Sequence, residues 1–317
     1  MNSLHFALRT ISQGLKTTQI KPLILTMRPK QWVKNLVIYL PFFFTLNLFW
    51  DPTDLWRVFS LLGKTSLGFI LFSFISGAIY IFNDLMDLEG DRAHPQKRHR
   101  PLACGKLSPA TAKVAASMLL LASLPMAFIL EVNFGLVALA YTSLMLAYSL
   151  YLKRAVILDV CVIAAGFVLR AAAGAVVIEV APSPWLFTCT ALGALFLGFG
   201  KRRGELFLLG KGGGAHREAL RSYTPRLLDQ LIAIIAPSIL IAYAFYTFTA
   251  ENLPSNNAMM FTIPFVVYGV LRYLYLMHGK KLGGSPEEVL FTDKPLIITI
   301  LLWLITSIAI LWVYRGS

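Results

Sequence analysis

The residues best suited to chemistry stand where a long apolar run ends, in Tyr80-Ile81-Phe82-Asn83-Asp84-Leu85-Met86-Asp87-Leu88-Glu89-Gly90-Asp91. Carboxylates beside so apolar a stretch are costly to dehydrate and need a reason to be there. On a helix, Asp84, Asp87 and Asp91 share one face, Tyr80 precedes Asp84 by about a turn on that face, and Glu89 points away. Oxygen donors converging from one face suit Mg2+, which takes a few carboxylates and keeps other positions for water and phosphate oxygens. Asn83, Asp84, Asp87 and Asp91 are therefore the candidate metal ligands, Asp84 and Asp87, with Lys153 further along the chain, the candidate catalytic residues, and Tyr80 and Asn83 candidate substrate contacts as well. The plainer alternative is a solvated acidic helix end paired with Arg92.

Cations follow at once, in Arg92-Ala93-His94-Pro95-Gln96-Lys97-Arg98-His99-Arg100. A metal-binding helix end followed by Lys97, Arg98 and Arg100 suits a phosphorylated substrate, the metal neutralising one phosphate group and the cations holding others. Further candidate substrate contacts are Lys34 at the start of the first apolar block, Tyr148 and Lys153 near the end of the fourth, and the run Lys201-Arg202-Arg203 after the sixth. Lys153 is a candidate for holding a phosphate of either substrate, or else marks the membrane boundary. Lys34, beside Trp32, is equally an interfacial anchor. Arg170 lies about fifteen residues inside the fifth block, some 20 Å of helix. It should contact substrate in a polar cavity or pair with Asp159, Glu131 or Glu179. Lys211-Gly212-Gly213-Gly214-Ala215-His216-Arg217 reads as a flap or a flexible linker.

These side chains need elements to position them, and the composition says which kind. The chain has 317 residues, 57% of them hydrophobic and 14% charged, with mean hydropathy +0.66. A soluble domain carries roughly 25% charged residues. The apolar residues fall in blocks long enough to cross a bilayer, at about 33–49, 60–82, 109–130, 134–151, 155–178, 185–200, 228–249, 258–277 and 295–314. The expectation is an all-α membrane protein of nine transmembrane helices in a single polytopic domain. Residues 1–32 form an N-terminal segment without a signal-peptide apolar core. Nearly all of the 29 Lys and Arg fall in that segment, in loops 83–108, 152–154, 201–226 and 278–294, or at the helix ends beside them. That asymmetry places the N-terminus and the candidate site on the cytoplasmic side of the cell membrane and the C-terminus outside. It also accounts for the net charge of +13 without nucleic acid. Cys104, Cys161 and Cys189 fit no metal or disulfide spacing.

Asn83-Asp84-x-x-Asp87-x-x-x-Asp91 followed by Arg100-Pro101-Leu102-Ala103-x-Gly105 resembles the first aspartate-rich motif of the UbiA superfamily of intramembrane transferases. The likeness extends to the nine blocks, the Arg28-Pro29-Lys30-Gln31-Trp32 lead-in and Tyr148-Ser149-x-x-Leu152-Lys153. It implies a UbiA-like bundle with a cytoplasm-facing cavity, built from four-helix halves at 33–151 and 155–277 and a ninth helix at 295–314. One departure stands out. Prenyltransferases of this superfamily carry a second aspartate-rich motif after the sixth span, where this chain reads Gly200-Lys201-Arg202-Arg203-Gly204-Glu205-Leu206.

That substitution of cations for carboxylates, with Gly166-Phe167-Val168-Leu169-Arg170 and Asp91-Arg92-x-His94-Pro95-x-Lys97, is similar to the decaprenyl-phosphate phosphoribosyltransferase branch. The resemblance implies Mg2+-dependent transfer of 5-phosphoribosyl from phosphoribosyl pyrophosphate to a polyprenyl phosphate, in the biosynthesis of a cell-envelope polymer. Self-association is compatible with it. Three alternatives stay open: prenyl transfer to an aromatic acceptor, a phosphatidyl or glycosyl transferase of another fold, and a transporter. A transporter would place broken helices and polar residues at the bilayer midplane.

Overall fold

The computed structural model describes residues 19–46, 49–95, 97–181, 183–209, 218–250, 253–279, 289 and 292–314. Its regular elements are helical. A short α1 (Ile20–Thr26) leads into a 3-10 helix at Pro29–Tyr39 and α2 (Leu40–Phe44). Then come α3 (Leu55–Met86), α4 (Leu88–Ala93), α5 (Pro109–Leu130), α6 (Val132–Leu150), α7 (Leu158–Val177), α8 (Pro184–Leu209), α9 (Pro225–Thr249), α10 (Ile263–Gly279) and α11 (Lys294–Val313). The glycine-rich 211–217 stretch lies outside the described residues.

Several starts are written locally. Ser108, Thr224 and Asp293 cap α5, α9 and α11 through their side-chain oxygens, each with Pro in the first turn. Such caps satisfy amides that have no intrahelical acceptor. Glu131 joins α5 to α6 and caps the latter, its carboxylate accepting from the Phe134 amide at 2.8 Å.

Seven described helices are long and apolar enough to cross a membrane: α3, α5, α6, α7, α9, Ala258–Gly279 and α11. The chain is thus a multi-pass, all-helical membrane protein. The first and sixth apolar blocks differ from expectation. The first is no regular α-helix: Pro29–Tyr39 winds as 3-10, whose ~2.0 Å rise carries eleven residues about 22 Å. The sixth belongs to α8, which runs on through Lys201-Arg202-Arg203 to Leu209, so the basic run is helical where a loop was expected.

The chain divides into two compact units, one of residues up to Leu36 with Leu67–Leu150, the other of Val37–Ser66 with the residues from Tyr151 onward. In the first, Met27, Leu102, Leu107, Ala112 and Ala116 bury against Ala78 and Ile81 of α3. That core brings the neighbours of Met27 and Leu102 onto the acidic end of α3. In the second, α8 packs between α7 and α9, and Val160, Phe199, Leu220, Tyr223, Leu228 and Ile232 share a buried cluster. Gly174 lets α7 approach the 3-10 backbone: a Cβ there would fall 2.1 Å from the Ile38 carbonyl oxygen.

Candidate active site

In the first unit, α3 carries Tyr80, Asn83 and Asp84, and Asp87 sits at its junction with α4. The backbone ladder continues through that junction, the Asp87 amide bonding to Asn83 O at 3.0 Å and the Asp91 amide to Asp87 O at 2.8 Å. The helical register therefore holds. Asp84 and Asp91 are 2% and 3% exposed, Asp87 is half-buried and Glu89 is exposed.

Two arginines compensate the buried carboxylates. Arg28 pairs with Asp84 Oδ1. Arg100 Nη1 donates to Asp84 Oδ1 at 3.0 Å and to Asp91 Oδ2 at 2.6 Å. Arg28 also lies over the Tyr80 ring, 5.0 Å from its centroid. Its backbone is left-handed, φ 53°, directly before Pro29. Such a conformation persists only where surrounding contacts fix it, and the Asp84 pair and the Tyr80 ring are two of them. Arg28 was visible only as the first residue of the Arg28-Pro29-Lys30-Gln31-Trp32 lead-in; no spacing rule tied it to a carboxylate 56 residues away.

These pairs change the expected picture. Asp84, Asp87 and Asp91 share a face, yet Asp84 and Asp91 meet guanidinium groups, and no described group of three His, Cys, Asp or Glu is placed to hold a metal ion. Asn83 Nδ2 donates to Asp87 Oδ2 at 3.2 Å, so an amide and a carboxylate stand side by side with Asp84 on the adjoining turn. That hard-oxygen set fits Mg2+, which needs only one or two carboxylates when substrate phosphates complete its shell. Arg100, expected on substrate, is bonded to protein carboxylates instead. Arg98 is exposed beside His99, and Lys97 is half-buried, its amide donating to His94 Nδ1 at 3.3 Å. Lys34 is half-buried on the 3-10 helix beside Asn35, which is buried and donates to Ser73 Oγ at 3.0 Å. Tyr148 is half-buried on the last turn of α6.

In the second unit the basic run splits. Arg202 is 2% exposed, its Nε 2.7 Å from Asp159 Oδ2 and its Nη1 2.7 Å from Glu205 Oε2. Expected on substrate, this guanidinium is buried against the protein's own carboxylates. Arg203 Nε pairs with Asp229 Oδ1 at 2.5 Å, an oxygen that His278 also approaches at 3.3 Å. Lys201 is half-buried. The other oxygen of Asp159 accepts from the Tyr223 hydroxyl at 2.8 Å. Burial, and then Asp159, push the Tyr223 phenol well above its ordinary value. Composition gave no signal for this hub, because its members lie far apart in the chain.

Lys153 is half-buried in the 3-10 turn Leu152–Arg154, just before α7. Arg170 is buried within α7, its guanidinium folded back to the Gly166 carbonyl at 3.0 Å and over the Phe167 ring at 5.1 Å. The three carboxylates considered as its partners have other roles. Asp159 holds Arg202, Glu179 holds Lys64 at 2.7 Å, and Glu131 caps α6. The structure thus gathers Asp84, Asp91 and Arg100 in one cluster and Asn83 with Asp87 in another. Lys153, Arg170 and Lys201 occupy three separate elements of the second unit.

Residues 38–202 match the UbiA prenyltransferase family. A decaprenyl-phosphate phosphoribosyltransferase of Mycolicibacterium smegmatis is 33% identical over 296 residues, covering 90% of this chain and 91% of that protein. One from Corynebacterium glutamicum is 32% identical over 286 residues, covering 89% and 84%. Among solved structures, a UbiA homolog from Archaeoglobus fulgidus bound to GPP and Mg2+ superposes with a TM-score of 0.69. It is 20% identical, covering 92% of this chain and 100% of that one.

Proposed function

This chain belongs to the UbiA prenyltransferase family, and from that premise we propose that it is a phosphoribosyltransferase. It moves 5-phosphoribosyl from phosphoribosyl pyrophosphate to a polyprenyl phosphate. The observation that carries this reading is the 33% identity over 296 residues to a protein named for that activity. The missing second aspartate motif supports it against prenyl transfer to an aromatic acceptor.

In the reaction an oxygen of the lipid phosphate bonds to C1 of the ribose as the bond from C1 to the pyrophosphate oxygen breaks, and pyrophosphate leaves. The acceptor is already anionic, so no strong general base is required. Charge develops on the leaving group and must be met by fixed positive charge. Arg28 and Arg100, held at Asp84, the residue next to Asn83 in the chain, are the cations proposed to meet it. Mg2+, when bound, would supply positive charge to the diphosphate, with Asn83, Asp84 and Asp87 as the residues that hold it. Lys153 and Lys201 take the remaining phosphates. Nine membrane crossings, counting the 3-10 segment and α8, with halves at 33–151 and 155–277, complete the proposed architecture. Its cavity opens to the cytoplasm, as the placement of Lys and Arg supports.

The test is incubation of the purified protein with labelled phosphoribosyl pyrophosphate and a series of polyprenyl phosphates, with and without Mg2+. Label should pass to the lipid with release of pyrophosphate. Consumption of a prenyl diphosphate with an aromatic acceptor, and no labelled lipid, would overturn the assignment.

A further inference from the structure

We propose that Tyr223 is a positioning residue that fixes the turn carrying Lys153; the functional value of that turn rests on the reading of Lys153 given above. Ile157, four residues after Lys153, has φ 69°. With ψ −51° and the Leu158 amide bonded to the Val156 carbonyl at 2.8 Å, Ile157 is the centre of a γ-turn, a rare and strained conformation for a β-branched residue. Such a conformation persists only where the surroundings over-determine it.

The restraint at Ile157 is visible. Its amide donates to Tyr223 Oη at 2.7 Å. An amide can only donate, so the hydroxyl accepts there and its one proton goes to Asp159 Oδ1, at 2.8 Å. Asp159 is 0% exposed and is anchored through its other oxygen to Arg202. The order of bonds is therefore fixed: Ile157 amide to Tyr223, Tyr223 to Asp159, Arg202 to Asp159. Two further ties bind this hub to the Lys153 turn. The Asp159 amide donates to the Ala155 carbonyl at 3.0 Å, and the Ala155 amide to the Leu152 carbonyl at 3.2 Å. The 3-10 segment Glu218–Ser222, directly before Tyr223, packs against Leu152–Arg154. Loss of one hydroxyl would thus release the strained residue on which the Lys153 turn depends.

The experiment combines hydrogen exchange with a double-mutant cycle in the full-length protein. Tyr223→Phe should accelerate exchange in peptides covering residues 151–160. It should also raise KM about tenfold for the same substrate whose KM rises in Lys153→Ala, as expected for a lost buried hydrogen bond. In the Lys153→Ala background, Tyr223→Phe should add no further rise, because the hydroxyl acts through that lysine. Ile157→Gly should restore slow exchange and KM to Tyr223→Phe, since glycine adopts positive φ without the Cβ penalty. Additive KM effects, or unchanged exchange in Tyr223→Phe, would overturn the proposal. Faster exchange together with a Lys153→Ala enzyme of normal KM would uphold the pinning of the turn and remove the phosphate role of Lys153. If Tyr223→Phe alone folds poorly, the Ile157→Gly/Tyr223→Phe pair decides, because a general structural role for the phenol predicts no rescue.

Discussion

Replacing Arg202 with alanine separates a structural cation from a substrate contact. The guanidinium is 2% exposed and holds Asp159, itself 0% exposed, at 2.7 Å. Its second contact, Glu205, is 24% exposed and can be rehydrated at small cost, since partly exposed pairs contribute little. The penalty therefore falls on Asp159. After the substitution, that carboxylate keeps the Tyr223 hydroxyl but loses its counter-charge in a buried site. Removing one member of a buried pair costs about 3–5 kcal/mol. In a thermal melt in detergent this corresponds to a fall of about 5–10 °C. Arg202→Met with Asp159→Asn should regain most of it, because the uncompensated charge is gone. Phosphoribosyl pyrophosphate binding by the folded fraction, measured at low temperature, should stay within a few fold of wild type. An Arg202→Ala protein that melts normally and fails to bind the donor would refute the reasoning and return Arg202 to the substrate site.

Four other outcomes follow from the same geometry. Asp87→Asn should abolish lipid labelling without lowering the melting temperature, while exposed Glu89→Gln should be mild; equal loss in both assays would dismiss the one-face reading. Lys201→Ala should weaken phosphoribosyl pyrophosphate binding by about one to two orders of magnitude, and by less for an analogue lacking the 5-phosphate, as titration calorimetry would report. Gly174→Ala should prevent normal folding, since its Cβ would lie 2.1 Å from Ile38 O; a normal melt would count against that close approach. The raised phenol of Tyr223 implies a stabilising contribution fully present below its unfolded value of about 10 and lost only as pH climbs through the higher folded value. The melting difference between wild type and Tyr223→Phe should therefore be flat from about pH 6 to about 9, and a decline across that range would contradict the assignment.

Hydropathy located the helices well where local chemistry also marks their ends. The block at 109–130 and α5 coincide, with Ser108 and Pro109 supplying cap and first residue. The block at 295–314 and α11 differ by one residue, with Asp293 as cap. The first block shows what hydropathy cannot encode. An apolar run records burial in lipid, not whether the backbone winds as α or, as at Pro29–Tyr39, as 3-10. The sixth block fails at its end for a related reason. Charge at Lys201 marks the edge of the apolar zone, but a helix has no need to stop there, and α8 continues to Leu209.

At the candidate site, helical register was legible because it is local: the buried Asp84 and Asp91 and the exposed Glu89 lie as a helical repeat requires. Pairing was not, because a charge does not name its partner. Arg28 and Asp84 are 56 residues apart, and Arg202 and Asp159 are 43 apart. This matters most for the basic run. Counted along the sequence, Lys201, Arg202 and Arg203 are a cationic site standing where another branch of the family has carboxylates. In space the carboxylates have returned on other elements: Asp159 on α7 and Asp229 on α9, with Glu205 one turn further along α8. The two arginines are not equivalent under this compensation. Asp159 is sealed from water, so Arg202 cannot leave it without stranding a buried charge. Asp229 is 43% exposed and is approached by His278 as well, so Arg203 could leave it without stranding a buried charge. On the proposed function, Lys201 and the more exposed Arg203 would therefore be the cations of α8 to meet an anion, while Arg202 is held at Asp159, the carboxylate that also binds Tyr223.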